Sequence, residues 1–190
     1  TRPMLDASDA VSSVAVSVAR SAPAAANAVG YAVATSGSVP RQLGLNRAGL
    51  SAAGFEGKSG QTLVVPSNDG VSIAVGIGDK DSVTAAALRS AGAAFARAAS
   101  KHAHLATNLA DVDGVDPSAA AQAVVEGVLL ASYRYVGLKN DESIAAKLEE
   151  LTLIAGAKAA KGVEKGAVDG QVVARAGAQA REHANTPPTD

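Results

Sequence analysis

The sequence predicts an α/β domain of three layers, with a mixed parallel and antiparallel sheet of about six strands flanked by helices. Three observations predict it. Val71, Ile73, Val75 and Ile77 alternate with Ser72, Ala74, Gly76 and Gly78, a period-two pattern with one branched and one small face. The run Val83–Ala99 follows at once, rich in helix formers, with Leu88, Ala91, Phe95 and Ala98 recurring every three to four residues. The dipeptide Asp69–Gly70 separates two apolar runs, which marks a hairpin and hence one antiparallel pair.

The remaining elements follow in order. Ser13–Arg20 alternates Val14, Val16 and Val18 with small residues and reads as a first strand. Val29–Thr35 is a second, bounded by Pro23, Gly37 and Pro40. Leu43–Ala53 fits a short helix before the glycine-rich Gly54–Gly60, and Thr62–Pro66 a third strand. Val71–Gly78 is the fourth, and its helix takes Asp81 or Ser82 as N-cap. Leu105–Asp111 is a fifth strand. Asp116 and Pro117 then open a helix, as N-cap and first helical residue, that runs to about Tyr135. Asn140–Lys147 is a charged turn, Leu151–Ala155 a last strand and Ala157–His183 a long helix. Strands interleaved with helices give the layered architecture.

Composition narrows the function. With 190 residues the chain makes one domain with short extensions, and a hydrophobic content of 47% supplies a core of Ala, Val and Leu. A formal net charge of −1 disfavours nucleic acid and anionic membranes as partners. Zero cysteines remove thiolate metal sites and cysteine nucleophiles. No apolar run of about 18 residues could span a bilayer and no signal peptide is visible, so a cytoplasmic protein is expected. Thr1 as first residue suggests a trimmed chain.

Candidate motifs reduce to structural readings. Gly57–Lys58–Ser59 lacks the phosphate loop's earlier glycine, since Ala52 stands there, and has a helix before it and a strand after. Gly76–Ile77–Gly78 lacks the third glycine of the dinucleotide fingerprint, so its glycines are read as allowing close helix approach and a tight turn. Asp111–Asp116 resembles the start of a calcium loop, but Val115 stands at the fifth position, where an oxygen ligand is needed, and Gln122 at the twelfth, where a bidentate Glu is needed, so the stretch is read as a turn and a helix cap. His102 and His104 have no third ligand in the sequence nearby. No catalytic, cofactor-binding or metal-ligating residue is assigned.

Two features ask for more than a scaffold. Glu126 is the single charge inside an otherwise apolar helix, beside Gly127, and shares a face with Tyr133, seven residues on. A buried carboxylate must be paired, which predicts a Glu–Arg or Glu–Tyr lock. In the last helix Gly162, Gly166, Gly170, Val173 and Gly177 fall on one side, as a helix packed very close to a sheet or partner requires.

The segments Gly54–Thr62, Val75–Gly78, Glu126–Lys139, Leu148–Ile154 and Arg181–Asp190 resemble, in this order, the N-terminal domain of leucyl aminopeptidases, the cytosol aminopeptidase family. The most specific pieces are Glu126, Gly127, Tyr133, Arg134 and Lys139, and the tail Asn185, Thr186, Pro187 and Pro188. Departures fall at Tyr135, Leu138 and Thr189. The resemblance implies a macro-domain-like fold over residues 1–156 and a connector helix with the start of a linker over 157–190. It implies a hexameric parent enzyme, in which this domain helps assembly and active-site access. Two divalent ions, manganese or zinc, are expected in a separate C-terminal catalytic domain, which is this domain's partner, and none in this chain. The alternative is a stand-alone nucleotide or ADP-ribose binding module using the Gly76–Ser82 loop. DNA binding, known of some relatives, is disfavoured by the charge.

Overall fold

In the computed structural model, residues 11, 13–67, 70–133 and 148–185 are described. The elements are β1 (Ala15–Ala19), β2 (Ala28–Ala34), a 3-10 turn (Arg41–Leu43), α1 (Arg47–Ala52), β3 (Thr62–Ser67) and β4 (Gly70–Gly78). Then come α2 (Ala85–Ala98), β5 (His104–Thr107), α3 (Pro117–Ser132), β6 (Glu150–Ile154) and α4 (Ala160–Asn185). One six-stranded sheet has the order β1-β6-β5-β2-β4-β3. The β3–β4 hairpin is its antiparallel pair, with Ser67 opposite Gly70, and every other pairing is parallel. The turn residues Asn68 and Asp69 and the stretch Asn140–Lys147 lie outside the described residues.

Neighbouring residues of a strand point to opposite faces, and β4 shows this sorting directly. Ile73, Val75 and Ile77 join the larger core, with Leu88 and Phe95 of α2, Val124 and Val128 of α3, Leu151 and Leu153 of β6 and Val163 of α4. Ala74 joins a smaller core on the other side, made by Val33, Leu43, Leu50 and Phe55. The sheet is therefore covered on two faces, which makes three layers. With few aromatic residues, the volume is filled by close approach. The ring of Phe95 lies where a β-carbon on Gly30 would come within 2.7 Å of it.

The structure corrects several sequence expectations. β4, expected at the centre of the sheet from its apolar alternation, is the penultimate strand, while β5 and β2 occupy the centre. Leu43–Ala53 is split into a 3-10 turn and a helix because Gly44 takes a left-handed φ of 66° between them. α2 is capped by Thr84, whose hydroxyl accepts from Ala87 N at 3.2 Å. Asp79, upstream, is engaged in a turn of its own, accepting from Asp81 N. β5 stops at Thr107 because Asn108 leaves the ladder, its N–H donating to Gly30 O and its side chain accepting from Ala32 N at 2.8 Å. α3 ends at Ser132, and Asp116 caps it as expected, accepting from Ala119 N.

Candidate functional site

The glycines of β4 serve packing rather than ligand binding. The loop from Gly54 to Gln61 folds back on the strand end: Gly60 N donates to Gly76 O, Gly76 N to Gln61 O and Gly78 N to Gly57 O. A side chain at Gly76 would overlap the Lys58 carbonyl. The close approach that these glycines permit is thus to a loop and not to a helix. The side-chain oxygen of Gln61 ties the loop by accepting from Glu56 N and Lys58 N, both at 3.0 Å. Lys58 ion-pairs with Glu56, and its hydrogen bond and charge hold that carboxyl below the usual carboxylate range. Asp79, Lys80 and Asp81 precede α2, so charges of both signs are mixed in this turn.

His104 opens β5 between two carboxylates, with Nδ1 3.3 Å from Glu150 and Nε2 3.5 Å from Glu149. Among the described residues, no cluster of three His, Cys, Asp or Glu could hold a metal ion. A cleft of about 400 Å³ lies between the 3-10 turn and the end of β3, lined by Gln42, Leu45, Val65 and Ser72 among others. It holds no charged side chain.

The charged residues that do converge lie between the three long helices. Glu126, its side chain only 6% exposed, accepts from Arg89 Nε of α2 at 2.7 Å. Its other oxygen accepts from Gln122 Nε2 at 2.9 Å, one helical turn away. Both oxygens of a buried carboxylate are thereby engaged, which offsets its desolvation. Gly127, next in sequence, lets α2 approach until its backbone fills the place of a side chain, at the Arg89 carbonyl.

On its other side α3 meets α4. Gly162, Gly166, Gly170 and Gly177 all face α3, against Pro117, Ser118, Gln122 with Val125, and Leu130. The close neighbour is therefore a helix of the same domain. Val173, expected on the same side, is instead exposed. Where the two helices end, α4 caps α3. Arg181 Nη1 donates to Leu130 O at 2.9 Å, one of the carbonyls that the end of α3 leaves without an intrahelical partner. Its guanidinium lies 5.9 Å from the centre of the Tyr133 ring. Tyr133 Oη donates to Glu182 at 2.8 Å.

Of the family-motif residues, the structure therefore places Glu126 and Gly127 at the α2–α3 contact and Tyr133 at the α3–α4 junction. Asn185 is the last residue of α4, exposed. Arg134, Lys139, Thr186, Pro187 and Pro188 lie outside the described residues. Sequence reasoning missed Arg89, Gln122, Arg181 and Glu182 as partners. The spacing of Gln122 and Glu126 at i, i+4 was the one available signal.

A sequence model of the cytosol aminopeptidase family, N-terminal domain, matches residues 42–142. A probable cytosol aminopeptidase of Corynebacterium diphtheriae is 35% identical over 144 residues, covering 73% of this chain and 27% of its own length. One of Mycobacterium tuberculosis is 36% identical over 148 residues, with 75% and 28% covered. The chain thus spans little more than a quarter of these relatives. Among solved structures, the bottromycin maturation enzyme BotP, also solved in complex with Mn, matches with a TM-score of 0.68 and 31% identity, over 85% of this chain and 33% of that one. A mutant tomato leucine aminopeptidase matches in fold with a TM-score of 0.64 and 21% identity, over 80% and 35%.

Proposed function

This chain belongs to the cytosol aminopeptidase family, as the N-terminal domain of such an enzyme, and we propose that it serves there as a non-catalytic assembly domain. In this reading residues 1–156 form the folded body and 157–190 the connector into a C-terminal catalytic domain. That partner releases N-terminal amino acids from peptides in the cytoplasm, and the working enzyme is a hexamer. One observation carries the reading. The helix that leads toward the tail is bound along its length to α3 and clamped at its end by Arg181, Tyr133 and Glu182. These contacts suit a helix that joins this domain to a second one.

Two divalent ions, manganese or zinc, belong to the proposed catalytic domain, where they would activate water against the peptide bond. The described residues of this chain do not fit such a site, because no cluster of three ligating side chains occurs among them. The 190-residue chain is accordingly expected to show no chelator-sensitive release of chromophore from a leucyl anilide with manganese or zinc added. Chelator-sensitive turnover by a preparation free of other peptidases would overturn the non-catalytic reading.

The alternative of a nucleotide or ADP-ribose module at Gly76–Ser82 meets an obstacle: the glycine backbone is already bonded to the Gly57–Gln61 loop. Titration calorimetry with ADP-ribose at millimolar concentration is expected to give no binding heat. A saturable isotherm would reinstate the alternative.

A further inference from the structure

Three Asp–Gly dipeptides occur in the chain, Asp69–Gly70, Asp113–Gly114 and Asp169–Gly170. At such a pair the glycine nitrogen can attack the aspartyl carboxyl, because glycine has no side chain to obstruct the ring that closes. The reaction needs a carboxyl able to turn and a glycine N–H without another partner. The fold treats the three pairs differently. Gly170 lies inside α4, where its N–H belongs to the helical ladder, and the Gln122 carbonyl oxygen is 2.8 Å from where its β-carbon would be. Gly70 is the first residue of β4, opposite Ser67, with the Asn27 carbonyl in the place of a side chain. Asp113 and Gly114 are both exposed, in the connection between β5 and α3. Gly114 has a φ of 85°, and nothing lies within 4 Å of where its β-carbon would be. The aspartates on either side are engaged. Asp111 accepts from Gly156 N at 2.8 Å and Asp116 from Ala119 N at 3.0 Å. Among the described residues, neither the Asp113 carboxyl nor Gly114 N–H has a hydrogen-bond partner.

We propose that Asp113 is a modification site, where the folded chain converts aspartate to isoaspartate and so becomes a substrate for an enzyme that methylates isoaspartyl carboxylates. The Gly114 nitrogen attacks Cγ of Asp113. The N–Cγ bond forms, the Cγ–OH bond of the protonated carboxyl breaks, and the hydroxyl leaves with the amide proton as water. A second water then adds to the α-carbonyl of the succinimide and breaks its bond to nitrogen. The main chain now runs through Cβ and Cγ of residue 113, and the released α-carboxyl becomes the side group. One water leaves and one enters, and nothing is oxidised or reduced. The extra methylene falls between Asp111 and Asp116, whose own carboxyls are held, and between Val112 and Val115, which pack against the larger core. The other two pairs are spared because their glycines are held in a helix and in a strand.

The test incubates the full 190-residue chain at neutral pH and body temperature, once folded and once in urea. Each sample is then treated with isoaspartyl methyltransferase and radiolabelled S-adenosylmethionine, and the label is assigned by peptide mapping. In the folded chain the peptide carrying Asp113 is expected to take at least fivefold more label than those carrying Asp69 or Asp169. In urea the three are expected to agree within about twofold, because the fold no longer separates them. Asp113→Glu keeps the charge but would have to close a larger ring, and it is expected to remove the label from that peptide. Absence of label at Asp113, or equal or greater label at Asp69 or Asp169 in the folded chain, overturns the proposal. So does a preference for Asp113 that persists in urea, which would belong to local sequence, or label that survives Asp113→Glu.

Discussion

At the scale of single residues, the decisive group is a carboxylate with almost no access to water. Glu126 was legible in the sequence as the one charge in an apolar helix, and so was its need of a partner. Arg89 was not, because it lies 37 residues away and nothing local marks it among the arginines of the chain. Arg89→Met is expected to destabilise the domain by about 2 kcal/mol, below the usual loss for a fully buried pair because the arginine is half exposed. Adding Glu126→Leu should recover part of that loss, and urea unfolding of the two variants checks both statements. Tyr31 gives a pH signature. Burial pushes its phenol above the ordinary value, so the folded state favours the neutral form. The corresponding stability is present below the unfolded phenol's value, about 10, and is lost as pH rises through the higher folded value. Unfolding free energy between about pH 8 and 11 should therefore fall off less steeply in Tyr31→Phe than in the parent chain; equal slopes would assign the loss to other groups.

At the scale of elements, the helical layer is set by distance. Gly127 brings α2 onto α3, and Gly166 brings α4 onto the Ser118 carbonyl of α3. Alanine at position 166 gains roughly 1 kcal/mol of helix propensity. It also forces two helix backbones apart, at a cost of about 3 kcal/mol, so the collision decides the sign. Thermal unfolding of Gly166→Ala should show a lower Tm, and an unchanged or higher one would contradict the packing. At the far end of the same contact, Tyr133→Phe removes the bond to Glu182. Hydrogen exchange should then quicken in the last two turns of α4 and stay as it was in β4. The glycine spacing was legible as a demand for closeness, but whether a sheet, a partner or another helix met it depended on the tertiary path. Caps divided in the same way. Asp116 before Pro117 admits one reading, whereas Asp81 and Ser82 were equal candidates for the start of α2 and the cap is Thr84, two residues further on, whose hydroxyl accepts from Ala87 N.

At the scale of the whole molecule, the class and number of strands followed from local patterns, and the antiparallel hairpin from one dipeptide. The strand order did not, since parallel neighbours leave no mark in the sequence between them. The clearest case is β1, which runs parallel to β6 in register from Ala15 opposite Glu150 to Ala19 opposite Ile154. Ser17 and Thr152 share a 3.2 Å hydrogen bond across 135 residues of chain. β1 has β6 as its only strand neighbour among the described residues, so a chain cut before Leu148 should lose β1 from the fold, seen as rapid amide exchange over Ala15–Ala19. This pairing also sets a timetable. A ribosome adding about 5–20 residues per second exposes β1 roughly ten seconds before β6 is made. Among the described strands, the earliest made is thus among the last to find its place, and it does so only when β6 leaves the exit tunnel.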